Sequence, residues 1–176
     1  MRRLAALLAL ILLVALAGTA FAATPQAGDA APTFRLQDQK GHWRAPGDFH
    51  GSWLVVYFYP KDFTPGCTTE VCTFRDDIAK LRKAGVSVVG VSLDDVKSHA
   101  DFAEKYHVPF PLLADVDGQV ATRYGVLTSR MGRHYAKRTT FLIDPQGRVA
   151  KVYVDVDPEK NSTQVLNDLA TLRTTR

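Results

Sequence analysis

Cysteine is scarce in this chain, which has only Cys67 and Cys72 among its 176 residues. So few cysteines exclude a scaffold of several disulfides, and the four residues between them leave no Cys-x-x-Cys pair of the kind that holds structural zinc. The five histidines show no ligand spacing with one another or with the cysteines. The sequence therefore predicts no metal site.

Motifs that signal a bound ligand are also absent. The sequence has no Gly-rich phosphate loop, no nucleophile-elbow serine and no haem-attachment motif. Its positive charge is small, with 22 basic against 18 acidic residues, and is mostly scattered along the chain. A nucleic-acid-binding surface needs clustered basic residues. We therefore expect no cofactor and no nucleic-acid partner.

Long apolar runs are limited to one, Leu4–Ala17, which is short for a membrane span. Two arginines precede this run, and Ala20-Phe21-Ala22 follows it as a small-x-small cleavage pattern. We predict that residues 1–22 are a signal peptide that is cut before Ala23. An uncleaved anchor is the alternative.

Export has consequences for the rest of the chain, residues 23–176. This length suits one domain with a single core, and loss of the signal lowers the net charge from +4 to +2. We expect the mature protein in the periplasm, with secretion beyond the cell as the alternative, and without stable membrane association. Such compartments are oxidising, which by itself favours a structural disulfide between the two cysteines.

Strand and helix patterns alternate along the predicted domain and end in a hairpin and a last helix. This order favours an α/β fold of three layers around a mixed sheet. The predicted strands are 53–59, 86–91, 140–143 and 149–156, with a short extended piece at 110–114 and a small hairpin formed by 34–36 and 42–44. The predicted helices are 66–83, 96–106, 118–124 and 161–172.

Cys67 lies where the buried strand 53–59 gives way to the helix 66–83. Free N–H groups and the positive end of the helix dipole favour an anion at such a point, so a thiol there ionises more readily than a free one. The thiolate is the nucleophilic form of cysteine. This position predicts a reactive thiol.

The spacing of Cys67 and Cys72 argues against a simple structural disulfide. Five residues of regular helix hold two Cα atoms roughly 8–9 Å apart, whereas a disulfide needs them within about 7 Å. The bond therefore requires the first turn of the helix to unwind. A bridge that opposes its own local fold is suited to redox chemistry, although the structural disulfide stays open at this point.

The pattern Pro60-x-x-x-Thr64-x-x-Cys67 resembles the active-site motif of peroxiredoxins, thiol peroxidases with a thioredoxin-like fold. The longer run 58–76 is similar to the branch that contains the bacterioferritin comigratory protein, in which a second cysteine often follows five residues after the first. The resemblance covers about residues 27–172. Further matching stretches are 90–92, 110–115 and 138–144.

The resemblance implies a function for five residues. Cys67 would be the peroxidatic cysteine, which a peroxide oxidises to sulfenic acid, and Cys72 the resolving cysteine that forms a disulfide with it. Thr64 would hold the thiolate and the peroxide through its hydroxyl, and Pro60 would shield the pocket. Arg138 would supply positive charge. Without the resemblance, Thr64 reads as a helix cap and Arg138 as a surface cation.

The resemblance also implies partners: hydrogen peroxide or organic hydroperoxides as substrates, and a thioredoxin-like dithiol as reductant. We expect a monomer, because nothing in the sequence marks an oligomer face. Glu70 is expected to be a first-turn acid favoured by the helix dipole rather than a catalytic base. Two rival functions are an exported thiol–disulfide oxidoreductase and a non-enzymatic exported domain with a structural disulfide.

Overall fold

The structure, a computed structural model, describes residues 23–174. The predicted signal peptide, residues 1–22, lies outside the described residues. Within the described range no helix combines the length and apolar character needed to cross a bilayer. The strands are β1 (Leu36–Asp38), β2 (Trp43–Arg44), β3 (Trp53–Phe58), β4 (Val86–Ser92), β5 (Leu112–Ala114), β6 (Leu127–Arg130), β7 (Arg133–Ala136), β8 (Thr139–Ile143) and β9 (Val149–Val154). The helices are α1 (Pro65–Lys83), α2 (Val96–Tyr106), α3 (Gln119–Arg123) and α4 (Asn161–Thr174), and one turn of 3₁₀ helix covers Pro46–Phe49.

Seven strands form one mixed sheet in the order β2-β1-β5-β4-β3-β8-β9. β3, β4 and β5 run parallel because each is joined to the next by a helical connection, whereas β8 and β9 form an antiparallel hairpin beside β3. The mixed sheet predicted from the sequence is therefore confirmed. The pairing of β3 with β8 places the start of β8 beside the end of β3.

The sheet separates two apolar layers because side chains alternate along its central strand. Trp53, Val55 and Tyr57 of β3 face a cluster that α1, α2 and α4 complete. Leu54 and Val56 face the opposite cluster, to which α3 and the N-terminal segment contribute. All six residues of β3 are buried, as its uninterrupted apolar sequence predicts. The three-layer architecture is confirmed.

Element boundaries differ from the predicted ones by at most two residues, but one hairpin and the 3₁₀ turn were missed. Strands β6 and β7 form a separate two-stranded hairpin. Its turn residues Met131 and Gly132 both have positive φ, 51° and 74°, as a two-residue hairpin turn of the I′ kind requires. The sequence signal was weak because methionine stands where asparagine or aspartate usually marks such a turn.

Candidate active site

The first turn of α1 holds Cys67 in the interior of the protein. Thr64 is the N-cap residue by its backbone, Pro65 is the first helical residue, and the Cys67 side chain is only 2% exposed. Proline suits this first position because its ring presets the helical φ and its missing N–H leaves no donor unpaired. The helix therefore starts at Pro65 rather than at the predicted residue 66, and Cys67 sits among the first-turn N–H groups.

The Thr64 side chain does not cap the helix. Its hydroxyl donates instead to the Lys61 carbonyl at 3.0 Å, and no cap hydrogen bond runs from its oxygen to the first turn. The interpretation of Thr64 as a helix cap is therefore wrong. With its proton committed to Lys61, the hydroxyl oxygen keeps lone pairs that can accept a hydrogen bond.

Arg138 contacts the sulfur directly. Its Nη2 group donates to the Cys67 Sγ at 3.2 Å, and its side chain is 17% exposed. The residue directly precedes β8, whose Thr139 pairs with Phe58 at the end of β3, so the sheet carries Arg138 to the start of α1. Arg138 is therefore no ordinary surface cation.

Glu70 holds the other edge of the guanidinium. It lies one turn after Cys67 and is fully buried, and Arg138 Nη1 donates to its Oε2. Burial raises the pKa of Glu70 to about 7, although the adjacent Arg138 opposes the rise. Gly66 leaves room for this arrangement, since a Cβ there would lie 3.3 Å from Arg138 Nη2.

The prediction for Glu70 was incomplete. An acid whose only role is to interact with the helix dipole would face solvent, whereas the Glu70 carboxylate is buried and paired with Arg138. The available signal was its spacing of three residues from Cys67, which places both side chains on one helix face. The pKa of Arg138 is also shifted: burial lowers it, but Glu70 and Cys67 raise it more, so the net shift is upward and the guanidinium stays charged.

Pro60 lies in the loop between β3 and α1, and Cys72 lies on α1. Both are half-buried, and Cys72 packs against the apolar cluster beneath α1. Cys67 and Cys72 are free thiols, and α1 is continuous through both. The reduced protein thus keeps the two cysteines five residues apart on intact helix.

A second arginine lies beside Cys72. The Arg75 guanidinium donates to the Tyr106 carbonyl at 2.9 Å and to Asp76 at 2.8 Å. Asp76 and the neighbouring Cys72 thiol raise the pKa of Arg75, against an opposing effect of burial. Arg75 therefore interacts electrostatically with Cys72, a neighbour that the sequence did not predict.

The geometry suits reduction of a small electrophile. A buried sulfur lies at a helix N-terminus, with a guanidinium within hydrogen-bond distance and a threonine hydroxyl in the preceding loop. The cation and the helix end stabilise negative charge both on the sulfur and on an oxygen leaving from its attack. A second thiol stands five residues further along the same helix.

Comparison with known proteins shows which family the chain resembles. The AhpC/TSA family matches residues 27–152. Peroxiredoxin Bcp of Escherichia coli (strain K12) is 43% identical over 146 residues, which cover 81% of this chain and 94% of that protein. The crystal structure of peroxidoxin BcpB from Mycobacterium tuberculosis superposes with a TM-score of 0.78 at 37% identity, covering 86% of this chain and 99% of the other.

A third similar protein is the bacterioferritin comigratory protein of Xanthomonas campestris, whose structures were described together with its alkyl peroxide reduction activity. It is 33% identical, with a TM-score of 0.75, and the match covers 85% of this chain and 98% of the other. The chain therefore belongs to the AhpC/TSA family and, within it, to the peroxiredoxins of the Bcp and Q type, with their thioredoxin-like fold.

Proposed function

We propose that this protein reduces hydroperoxides through a sulfenic acid on Cys67 and an intramolecular Cys67–Cys72 disulfide. The observation that carries the proposal is the contact of 3.2 Å between Arg138 Nη2 and the buried Cys67 Sγ in the first turn of α1. A structural cysteine needs no cation at its sulfur, whereas a nucleophilic thiolate is stabilised by one.

The first step oxidises Cys67. Its thiolate attacks the terminal oxygen of the hydroperoxide, the S–O bond forms, and the O–O bond breaks. The departing alkoxide or hydroxide takes up a proton and leaves as alcohol or water, while Cys67 becomes a sulfenic acid. Arg138 stabilises the negative charge that develops on the leaving oxygen, and Thr64 offers its oxygen to the peroxide O–H.

The second step joins Cys72 to Cys67 in a disulfide. The Cys72 thiolate attacks the Cys67 sulfur, the S–O bond breaks, and water leaves after protonation of the hydroxide. Because intact helix keeps the two Cα atoms roughly 8–9 Å apart, the start of α1 must unwind before this bond forms. The disulfide is then a turnover intermediate rather than a structural bridge.

The third step returns both thiols through exchange with a dithiol, which leaves as its own disulfide. We propose a thioredoxin-like reductant and both hydrogen peroxide and organic hydroperoxides as substrates. The alkyl peroxide activity described for the Xanthomonas campestris relative supports the organic substrates.

Intact-mass spectrometry of two variants tests the chemistry. After one equivalent of hydrogen peroxide, the wild-type protein should lose the mass of two hydrogen atoms, whereas Cys72→Ser should gain the mass of one oxygen atom. Cys67→Ser should do neither and should not consume peroxide. A Cys67→Ser protein that consumes peroxide at the wild-type rate would remove Cys67 as the nucleophile.

Peroxide consumption also distinguishes a peroxidase from a thiol–disulfide oxidoreductase. An oxidoreductase would exchange disulfides with a substrate protein without consuming peroxide. Thioredoxins place a cis-proline just before the strand that faces their cysteines, whereas this chain has Thr139 at the corresponding position. This difference favours the peroxidase.

We further propose that the protein acts after export, as a monomer. Residues 1–22 carry the signal pattern and fall outside the family match, which begins at residue 27. Cell fractionation should find the protein outside the cytoplasm. The mass of the purified protein should correspond to a chain that starts at Ala23. Light scattering on a sizing column should give the mass of one chain. A full-length cytoplasmic protein, or a dimer, would contradict the respective proposal.

A further inference from the structure

A buried carboxylate in the active-site loop takes no part in the steps above. The Asp62 side chain is fully buried and accepts three hydrogen bonds. Tyr59 Oη donates to its Oδ1 at 2.7 Å, and Ser98 Oγ and His99 Nδ1 both reach its Oδ2 at 2.8 Å. Since a carboxylate only accepts, the proton of this last bond belongs to His99.

These bonds tie the loop after β3 to the start of α2. Ser98 and His99 lie in the first turn of α2, which Asp95 caps by accepting from the Ser98 N–H at 2.8 Å. The loop is also held through its backbone, because the Asp62 N–H donates to Asp94 Oδ2 at 2.9 Å. The loop is therefore fixed by both the side chain and the main chain of Asp62.

The main-chain bond determines where Thr64 points. The N–H of Asp62 and the carbonyl of Lys61 belong to one peptide group, which is planar. Pinning the N–H on Asp94 therefore fixes the direction of the carbonyl, and this carbonyl accepts the Thr64 hydroxyl proton at 3.0 Å. The lone pairs of Thr64 are left facing away from Lys61, free to accept from a substrate O–H.

We propose that Asp62 is a positioning residue for the peroxide step, acting through the Lys61–Asp62 peptide group on the hydroxyl of Thr64. The inference rests on the proposed peroxidase function and adds a residue to it. The hydrogen bonds of Asp62 reach neither Cys67 nor Thr64; Asp62 acts by fixing the loop that carries Thr64.

Packing alone does not explain this polar cluster, which consists of Tyr59, Asp62, Ser98 and His99. His99 is fully buried, and its Nε2 has no hydrogen-bond partner among the residues that the structure describes. An unpaired buried polar atom destabilises the fold, and buried polar networks are often no more stabilising than apolar residues of equal volume. The cluster is better explained by the geometry that it imposes.

The neighbouring backbone supports the same conclusion. Phe63, between Asp62 and Thr64, has a φ of 61°, which is strained for an aromatic residue. Its ring packs on Phe102 of α2, with centroids 5.0 Å apart. Strained residues persist where the surroundings determine the conformation, and here both the cluster and α2 do so.

The test isolates the peroxide step in a Cys72→Ser background, where reaction stops at the sulfenic acid. Asp62→Asn keeps the size of the side chain but presents an amide to three donors. We expect the rate constant for Cys67 oxidation to fall about ten- to hundredfold, as for a misplaced catalytic group. Asp101→Asn is the matched control, because that carboxylate lies on α2 in an exposed pair with Lys97; it should leave the rate unchanged.

A double-mutant cycle with Thr64→Val separates positioning from a general structural effect. If Asp62 acts through Thr64, then Asp62→Asn should slow the reaction of Thr64→Val less than twofold. The proposal would be overturned if Asp62→Asn slowed Cys67 oxidation by the same factor with and without Thr64→Val. It would also be overturned if Asp62→Asn alone left the rate unchanged. A parent protein that fails to react with peroxide would instead refute the proposed function.

Ser98→Ala covers the case in which Asp62→Asn does not fold. It removes one of the three donors and no charge, so we expect a smaller loss, about threefold, that also disappears in the Thr64→Val background. A loss that persists there, or no loss at all, would count against the inference.

Discussion

Arg138 contacts the nucleophile directly, so its removal should affect the chemistry. The half-buried guanidinium supplies the positive charge at the Cys67 sulfur. Loss of one preorganised donor to a developing oxyanion typically costs about 10²–10³ in rate. We therefore expect Arg138→Ala to slow peroxide reduction by about that factor in stopped-flow measurements on reduced protein. Arg130→Ala, at the exposed end of β6, should react like wild type; equal rates in both variants would contradict the assignment of Arg138.

Arg75 should affect the second step and not the first. Its guanidinium neighbours Cys72, and an adjacent positive charge favours the thiolate that must attack the sulfenic acid. We expect Arg75→Ala to slow disulfide formation about three- to tenfold while sulfenic acid forms at the wild-type rate. Arg82→Ala is the control, because Arg82 also lies on α1 and also donates to a loop carbonyl, that of Pro109 at 2.8 Å, away from the cysteines. An equal delay in both variants would indicate loss of helix anchoring instead.

Residues in stretches that resemble a known family could be found from the sequence, and residues whose role depends on burial could not. Pro60, Thr64 and Cys67 lie within eight consecutive positions, so their resemblance to a known motif was visible. Glu70 and Asp62 look like ordinary surface acids in the sequence. Their importance depends on burial, which tertiary packing decides.

The start of α1 is the element on which turnover depends. Val71 and Phe74 anchor it in the core, with 1% and 0% exposure, and they lie within or next to the turn that must unwind. Disulfide formation should therefore loosen this part of the helix despite adding a crosslink, since the closed loop is short. We expect faster hydrogen exchange over 66–78 in peroxide-treated protein than in reduced protein.

The last helix provides the internal reference for that experiment. α4 packs against α1 through Val165 and Leu169 but contains no cysteine. Its exchange should change little on oxidation. Equal protection over 66–78 in both forms, with the disulfide confirmed by mass, would mean that the cysteines already lie within bonding distance, and the structural-disulfide interpretation would then regain support.

Elements with a strong periodic pattern were predicted correctly, and the missed hairpin shows why others were not. α1, α2 and β3 are long or uniformly apolar, so their sequences identify them. β6 and β7 are four residues each and largely exposed, so neither alternation nor burial marks them. They are held by their turn and by their pairing, from Leu127 with Ala136 to Arg130 with Arg133.

At the scale of the whole molecule, the sheet assembles a site that the sequence spreads widely. Arg138 follows Cys67 by 71 residues, and only the pairing of β3 with β8 brings them together. Alternating strands and helices were enough to predict a three-layer fold with a mixed sheet. They could not predict the strand order, because several right-handed arrangements bury the same apolar faces.

Glu70 makes the stability of the whole molecule depend on pH near neutrality. Its pKa is about 7 in the folded protein, against an ordinary value of 4.5, so the folded state binds this proton more tightly than the unfolded state. The stabilisation that comes from protonated Glu70 is therefore fully present below pH 4.5. It is lost as the pH rises through about 7. Between these values the free energy of unfolding should fall by up to about 1.4 kcal/mol per pH unit.

Denaturant unfolding of Cys67→Ser, with and without Glu70→Gln, measures this dependence without interference from the thiol. The amide introduced by Glu70→Gln still offers an oxygen to Arg138 but cannot ionise, so other titrating groups, such as the buried Asp115, cancel in the comparison. We expect the free energies of unfolding of the two proteins to diverge as the pH rises from 4.5 to above 7. The protein that carries Glu70→Gln should lose less stability over this range. Parallel curves would show that Arg138 keeps Glu70 ionised throughout, in which case the buried ion pair persists over the whole range and the charge acting on Cys67 is constant.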